Sequence, residues 1–287
     1  MSVGSGTGHG KVILLGEHAV VHGQPAIAAG VSRCVRVTIR RASPAPAAEL
    51  RPALAAAAAV VGDIDIDGLA VSIEGDLPVA VGLGSSAALS VALVRGLAAF
   101  QRRALHQGEV ARMANEVDRV FHGTPSGVDA AAASLGGVLW FEAGPPPHAE
   151  PLPPAGPIPM VVALSGTRHH TGHSVGELRR RAEALPQVYA PIFHAIGELV
   201  RAGRTAIEDG AWPLLGELMS MNHGLLRCCN VSTPVLDRVV EDAKRSGALG
   251  AKLTGAGGGG AVIALADGSP DDLAARLVGR GWEAFVA

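Results

Sequence analysis

The chain has 287 residues, 48% of them apolar and 17% charged, which supports a substantial core and excludes extended disorder. Its 24 basic and 26 acidic residues give no electrostatic footprint for nucleic acid or a membrane surface, so a small anionic substrate must be met by a local cluster. Three cysteines (Cys34, Cys228 and Cys229) lack zinc-ribbon spacing and cannot all pair with one another, which points to a reduced, cytoplasmic protein.

Residues 1–11 are glycine-rich and carry no signal-peptide apolar segment. Residues 11–15 (KVILL) read as a buried strand and 31–41 as a second. The alanine-rich stretch 53–61 predicts a helix, and 71–74 a short strand ended by Asp76-Leu77-Pro78. An apolar run over 87–101 predicts a helix whose N-terminus lies at Ser85 and Ser86. A further helix over 109–122 places Val110, Met113, Ala114, Val117 and Phe121 at helical spacing. Residues 144–159 are dense in proline, lack a regular pattern and mark the domain boundary, with 1–155 on one side and 156–287 on the other. Beyond it, 160–164 reads as a strand. Ser232 or Thr233 caps a helix that has Pro234 in its first turn and Gly247 as its stop, and 261–266 returns as a strand. This alternation predicts a two-domain α+β fold with the active site between the halves.

Four segments have the residue types that chemistry needs. Gly82-Leu83-Gly84-Ser85-Ser86-Ala87 runs directly into a helix. Glycine lets backbone N–H groups approach a phosphate, the helix N-terminus adds a favourable dipole, and a hydroxyl there reaches a magnesium ion. A tight turn with a serine cap would explain the same residues, and the Gly-Lys-Ser/Thr of a Walker loop is missing. Residues 255–260 hold five glycines in six positions, an entropic cost retained where backbone must approach something closely. Apolar flanks at Leu253 and 261–265 argue against a linker. Lys11 opens a buried strand and Glu17 and His18 stand at its exit, as solvated strand ends also would. Asp118 lies near the end of the helix over 109–122, and Asp129 opens an alanine stretch where a helix N-cap is the plain alternative.

Together these segments resemble the GHMP kinases. Three motifs occur in order: KVILLGEHAVVHG from Lys11, PVAVGLGSSAA from Pro78 and KLTGAGGGGAVIAL from Lys252. Within that superfamily the resemblance is sharpest to the mevalonate kinases, through GEHAVVHGQPAIA from Gly16 and HGTPSGVD from His122. It implies an ATP- and magnesium-dependent kinase acting on mevalonate. The implied fold joins an N-terminal domain like ribosomal protein S5 domain 2 to a ferredoxin-like C-terminal domain, in a chain that assembles as a homodimer. It also implies that Asp129 is the general base and that Lys11 polarises the substrate hydroxyl. Ser86 and Asp118 are the implied metal ligands. Gly82, Leu83, Gly84, Ser85, Ser86, Ala87, Gly255 and Gly257 would hold the nucleotide, and Glu17, His18, Thr171, Gly255 and Ala256 the substrate.

Asp118 departs from the family, whose second metal ligand is usually glutamate, so a closer helix or a bridging water is expected. His9 replaces a common proline, and residues 165–171 differ from the animal enzymes. Rival readings are a sister kinase for another alcohol, which the first motif disfavours, and a non-catalytic nucleotide-binding protein, which the presence of both Lys11 and Asp129 disfavours. A metal hydrolase built on His169, His170 and His173 is disfavoured because adjacent strand residues face opposite ways and no metalloprotease glutamate accompanies them.

Overall fold

The computed structural model describes residues 3–42, 47–167 and 171–287, the side chains of 171–173 excepted. The elements run β1 (Val3–Leu15), a 3-10 turn (Ala19–His22), β2 (Pro25–Arg41), α1 (Arg51–Val61), β3 (Leu69–Gly75), α2 (Ser85–Phe100), α3 (Gln107–His122) and α4 (Val128–Leu135). They continue with β4 (Val138–Glu142), β5 (His148–Pro151), β6 (Met160–Leu164), α5 (Thr171–Ala184), α6 (Pro186–Asp209), α7 (Trp212–Cys228), α8 (Pro234–Arg245), β7 (Ala248–Thr254), β8 (Ala261–Ala266), α9 (Pro270–Gly279) and β9 (Glu283–Val286).

Two sheets form. One has the order β1-β2-β4-β5 with β3 also on β2, and the other the order β7-β8-β6-β9. The length of β2 lets it serve two antiparallel partners: its start pairs with β4 and its end, from Val35 to Arg41, with β3. The chain divides into two compact units. The first comprises Met1–Lys11, Gly30–Pro78 and Gly84–Gly136, and the second Val12–Ala29, Val79–Leu83 and Gly137–Ala287. In the first, Ile39 of β2, Leu54 of α1, Val91, Leu93 and Leu97 of α2, and Val110 and Val117 of α3 form one buried apolar cluster. No helix among the described residues is long and apolar enough to cross a membrane.

The first strand is far longer than residues 11–15, because the glycine-rich start of the chain is strand too. Its glycines alternate, and all of Gly4, Gly6, Gly8 and Gly10 are buried. A Cβ on Gly8 would fall 2.0 Å from Ala88 O, one on Gly6 2.3 Å from Ala92 O, and one on Gly4 2.2 Å from Gly96 O. Two strand residues advance about 6.6 Å and four helical residues about 6 Å. Glycine at every second strand position therefore meets every fourth residue of α2, backbone against backbone. Arg95 of α2 fastens the contact by donating to Thr7 O (2.6 Å) and Ser134 O (2.7 Å).

The proline-dense stretch 144–159 is not patternless, because β5 lies inside it and pairs with β4 from Leu139↔Pro151 to Glu142↔His148. β5 is the last strand in its sheet order, a place where proline leaves no ladder bond unmade. The predicted ends of α8 match the structure: the Thr233 hydroxyl accepts the Leu236 N–H at 3.4 Å, Pro234 opens the helix, and Gly247 follows it with φ 90°.

The direct strand–helix contact makes Gly6 intolerant of a side chain. Gly6→Val is expected to lower stability by about 3 kcal/mol or more, since a packed helix backbone cannot yield. Gly108→Ala, where a Cβ meets open space, should stay within about 1 kcal/mol of the parent chain. Urea denaturation midpoints compare the two.

Candidate active site

The helix that lies on β1 begins where the strand carries its first charge. Gly84 is the N-cap residue of α2, in the left-handed region at φ 71°, and no side chain caps the helix. Ser85 and Ser86 are thus inside the first turn, and their hydroxyls are not used for capping. The first intrahelical bond runs from Ala88 N–H to Gly84 O at 2.9 Å, so the backbone donors before it have no helical acceptor. Ala80, Gly82 and Gly84 alternate at positive φ (62°, 81° and 71°), a winding conformation that glycine adopts without strain.

Gly84 also makes room for Lys11. A Cβ at Gly84 would fall 2.7 Å from Lys11 Cγ and 2.9 Å from Cε. Lys11 is 3% exposed, and its Nζ lies 2.8 Å from Asp129 Oδ1. Asp129 sits in the first turn of α4, behind Gly127, which is the N-cap residue. Its carboxylate therefore does not cap the helix; it pairs with the lysine.

Asp118 is buried at 1% exposure, and its Oδ1 has no hydrogen-bond partner. Burial first, and the Asp129 charge second, raise its carboxyl to about 6, while His122, Ser86 and Lys11 pull the other way. A desolvated carboxylate with one orphaned oxygen beside a hydroxyl is a donor set suited to a hard cation. His122, to which the sequence reading assigned no role, places Nε2 2.8 Å from Ser86 Oγ. It stands four residues after Asp118 on α3, a spacing that puts both on one helix face and could have revealed it.

Within the second unit the two glycine motifs meet. A Cβ on Gly255 would fall 3.2 Å from Gly82 O, and one on Gly260 2.7 Å from Val81 O. Gly257 faces Val231 O, which also accepts the Gly258 N–H at 2.7 Å. The Gly260 N–H donates to Thr167 O at 3.0 Å. The glycine run is thus an anchored, mostly buried loop, and much of the backbone its glycines admit is the protein's own. Leu83 is 1% exposed.

Glu17 and His18 form a tight turn at the exit of β1. His18 takes φ 61°, a conformation that non-glycine residues adopt only when their surroundings hold it. Its Nε2 lies 3.1 Å from Ala256 O, so that nitrogen carries the proton. Glu17 is 1% exposed, and its Oε1 accepts from Lys252 Nζ. Nearby, His223 accepts the Leu253 N–H at Nδ1 (3.4 Å) and donates from Nε2 to Asp237 Oδ1 (3.1 Å). Burial pushes its imidazole down to about 4, so no second positive charge forms beside Lys252. Thr171 opens α5, but its side chain, His169, His170 and the side chain of His173 lie outside the described residues. Among those described, no group of three or more His, Cys, Asp or Glu could hold a metal ion.

Comparison with known proteins places the chain as a whole. The family described as GHMP kinases N terminal domain matches residues 50–137, and the one described as GHMP kinases C terminal matches residues 204–284. A mevalonate kinase of Pyrococcus abyssi is 34% identical over 93% of this chain and 90% of its own length. Another, of Aeropyrum pernix, is 34% identical over 97% of this chain and 93% of its own. The crystal structure of L. major mevalonate kinase in complex with R-mevalonate superposes with a TM-score of 0.85 at 32% identity, covering 96% of this chain and 92% of that one.

The raised carboxyl of Asp118 sets a pH dependence. The folded chain binds this proton more tightly than the unfolded one, so its contribution to stability falls as pH rises from about 4 through 6 and stays unfavourable above. Asp118→Asn is therefore expected to raise the melting temperature of the ligand-free protein at pH 7.5, by up to about 3 kcal/mol in stability. The gain should shrink as pH approaches 4. Thermal melts of both proteins across that range test the sign.

Proposed function

The chain belongs to the GHMP kinases, and from that premise we propose that it transfers the γ-phosphoryl group of ATP to the 5-hydroxyl of mevalonate. The products are 5-phosphomevalonate and ADP, on the mevalonate route to isoprenoids. The observation that supports this most directly is the Lys11–Asp129 pair at 2.8 Å, with Asp118 and Ser86 beside it.

Phosphoryl transfer leaves a protein little covalent work, so positioning and charge stabilisation dominate. In this reading Gly82, Leu83, Gly84, Ser85, Ser86 and Ala87 hold the phosphates with first-turn N–H groups, and Gly255 and Gly257 complete the nucleotide subsite. Glu17, His18, Gly255, Ala256 and Thr171 form the mevalonate subsite. The alcohol oxygen forms the new bond to γ-phosphorus as the bond to the β,γ-bridging oxygen breaks and ADP leaves. The alcohol is a far weaker acid than a carboxylic acid, so its proton passes to Asp129 as the new bond forms. Oδ1 of Asp129 faces Lys11, which leaves Oδ2 for that proton, and the Lys11 ammonium stabilises the developing alkoxide.

A magnesium ion fits this chain's donors: Asp118 Oδ1 is buried without a partner, and magnesium takes one or two protein oxygens together with phosphates and water. Ser86 and Asp118 would hold it, and when bound it neutralises phosphate charge. The same proposal includes a cytoplasmic homodimer with domains spanning 1–155 and 156–287.

A coupled ADP-release assay with mevalonate, phosphomevalonate, homoserine and galactose tests the substrate. Turnover of mevalonate far above the others is expected, and a preference for another alcohol overturns the assignment. Asp129→Asn should lower kcat by about 10²-fold or more with little change in KM for ATP; near-normal turnover removes Asp129 from its role. Asp118→Ala should raise the magnesium needed for half-maximal activity more than it raises KM for mevalonate, which a magnesium titration reads directly.

A further inference from the structure

Lys252 is completely buried on β7 and has no part in the chemistry above. A buried ammonium is costly unless every donor is matched. Here its Nζ donates to Glu17 Oε1, to Leu253 O at 2.7 Å and to Ile13 O at 3.4 Å. Two of those three acceptors belong to the end of β1 and the turn that follows. Thr254, two residues on and so on the same face of β7, reinforces the link. Its hydroxyl accepts the Ile13 N–H at 2.8 Å and donates to Ile13 O at 3.2 Å. From α7, Asn222 Oδ1 accepts the Gly16 N–H at 3.3 Å.

These side chains all act on a segment under conformational constraint. A Cβ at Gly16 (φ 105°) would lie 2.7 Å from the backbone of Ala26, and His18 is held at positive φ. The turn closes through Ala19 N–H to Glu17 O (2.7 Å) and Val20 N–H to Gly16 O (3.1 Å). An apolar pair of equal volume would stabilise a fold at least as well as a buried ion pair. What the ion pair adds is direction: it fixes where the Glu17 backbone turns and therefore where His18 points.

We propose that Lys252 is a positioning residue for the alcohol substrate, acting through Glu17 to hold the strained turn that presents His18. This rests on the reading of His18 as part of the mevalonate subsite. Lys252→Met leaves Glu17 buried without its counter-charge, whereas Lys252→Met/Glu17→Gln removes both charges at nearly constant volume. The double variant separates loss of the turn from loss of the fold.

The double variant is expected to melt within about 5 °C of the parent chain, in line with the near-neutral replacement of buried ion pairs. Its Ala19 and Val20 amides should exchange at least about tenfold faster. Its KM for mevalonate should rise about tenfold or more while KM for ATP changes less than about twofold, and Lys252→Met alone, which leaves the Glu17 side chain in place, should raise KM for mevalonate at least as much. Unchanged exchange overturns the clamp whatever alcohol the enzyme takes. Faster exchange with unchanged KM for mevalonate overturns the positioning role. A double variant that does not fold overturns the proposal as well, since the pair would then support the fold as a whole. If the parent chain is inert towards mevalonate, the substrate reading fails by itself, and the proposal in its stated form fails with it; the exchange data then still decide whether the clamp exists.

Discussion

The packing of the first unit depends on one close contact, the backbone of β1 lying directly on the backbone of α2. Side chains normally separate packed elements, as in stacked sheets about 10 Å apart. Here the buried face of the strand carries glycine at positions 4, 6 and 8, and the facing helix positions are Ala88, Ala92 and Gly96. The spacing is set by a numerical match, two strand residues against one helical turn and a fraction. One helical turn before Ala88, Gly84 meets the stem of Lys11. There the missing Cβ is used for a different purpose, because it gives the lysine stem a slot beside the start of the helix. The Lys11–Asp129 pair and the uncapped first turn of α2 are consequences of that packing.

The second unit solves a different problem. β1 is the last strand on its side of the sheet, and an edge strand offers unpaired backbone groups. At Ile13 those groups are satisfied by the Thr254 hydroxyl and the Lys252 ammonium instead of another strand. Polar side chains of β7 thus stitch the end of one sheet onto the other. The arrangement is directional where an apolar contact would not be, and the residues it directs are Gly16, Glu17 and His18. The neighbouring His223 stays neutral because burial depresses its imidazole, which spares Lys252 a like charge.

Much of the candidate site was legible in the chain. The glycine–serine loop, the five-glycine run, Lys11, Asp118 and Asp129 each stood out by residue type and spacing, and helices α2, α3 and α8 were placed from apolar period and caps. The misses share a cause. Glycine carries no hydropathy signal, so residues 3–10 gave no strand pattern although Gly4, Gly6 and Gly8 lie directly against the backbone of α2. The prolines of 144–159 masked β5 because proline is disfavoured in strands generally and tolerated at an edge, and edges are a property of the sheet. His122 and Lys252 each have several bland readings until their partners are known.

By itself the sequence determined which residues could carry charge, cap a helix or adopt a left-handed turn, because those are properties of a residue and its near neighbours. It could not decide which of those capacities would be used. Ser86 might have capped α2 and Asp129 α4, but the structure gave both cap positions to glycines, which left the hydroxyl to His122 and the carboxylate to Lys11. Glu17 could have ended in solvent, and instead it is buried against a lysine 235 positions away. Such choices are set by which distant segment displaces water from a group, and only the tertiary structure brings those segments together.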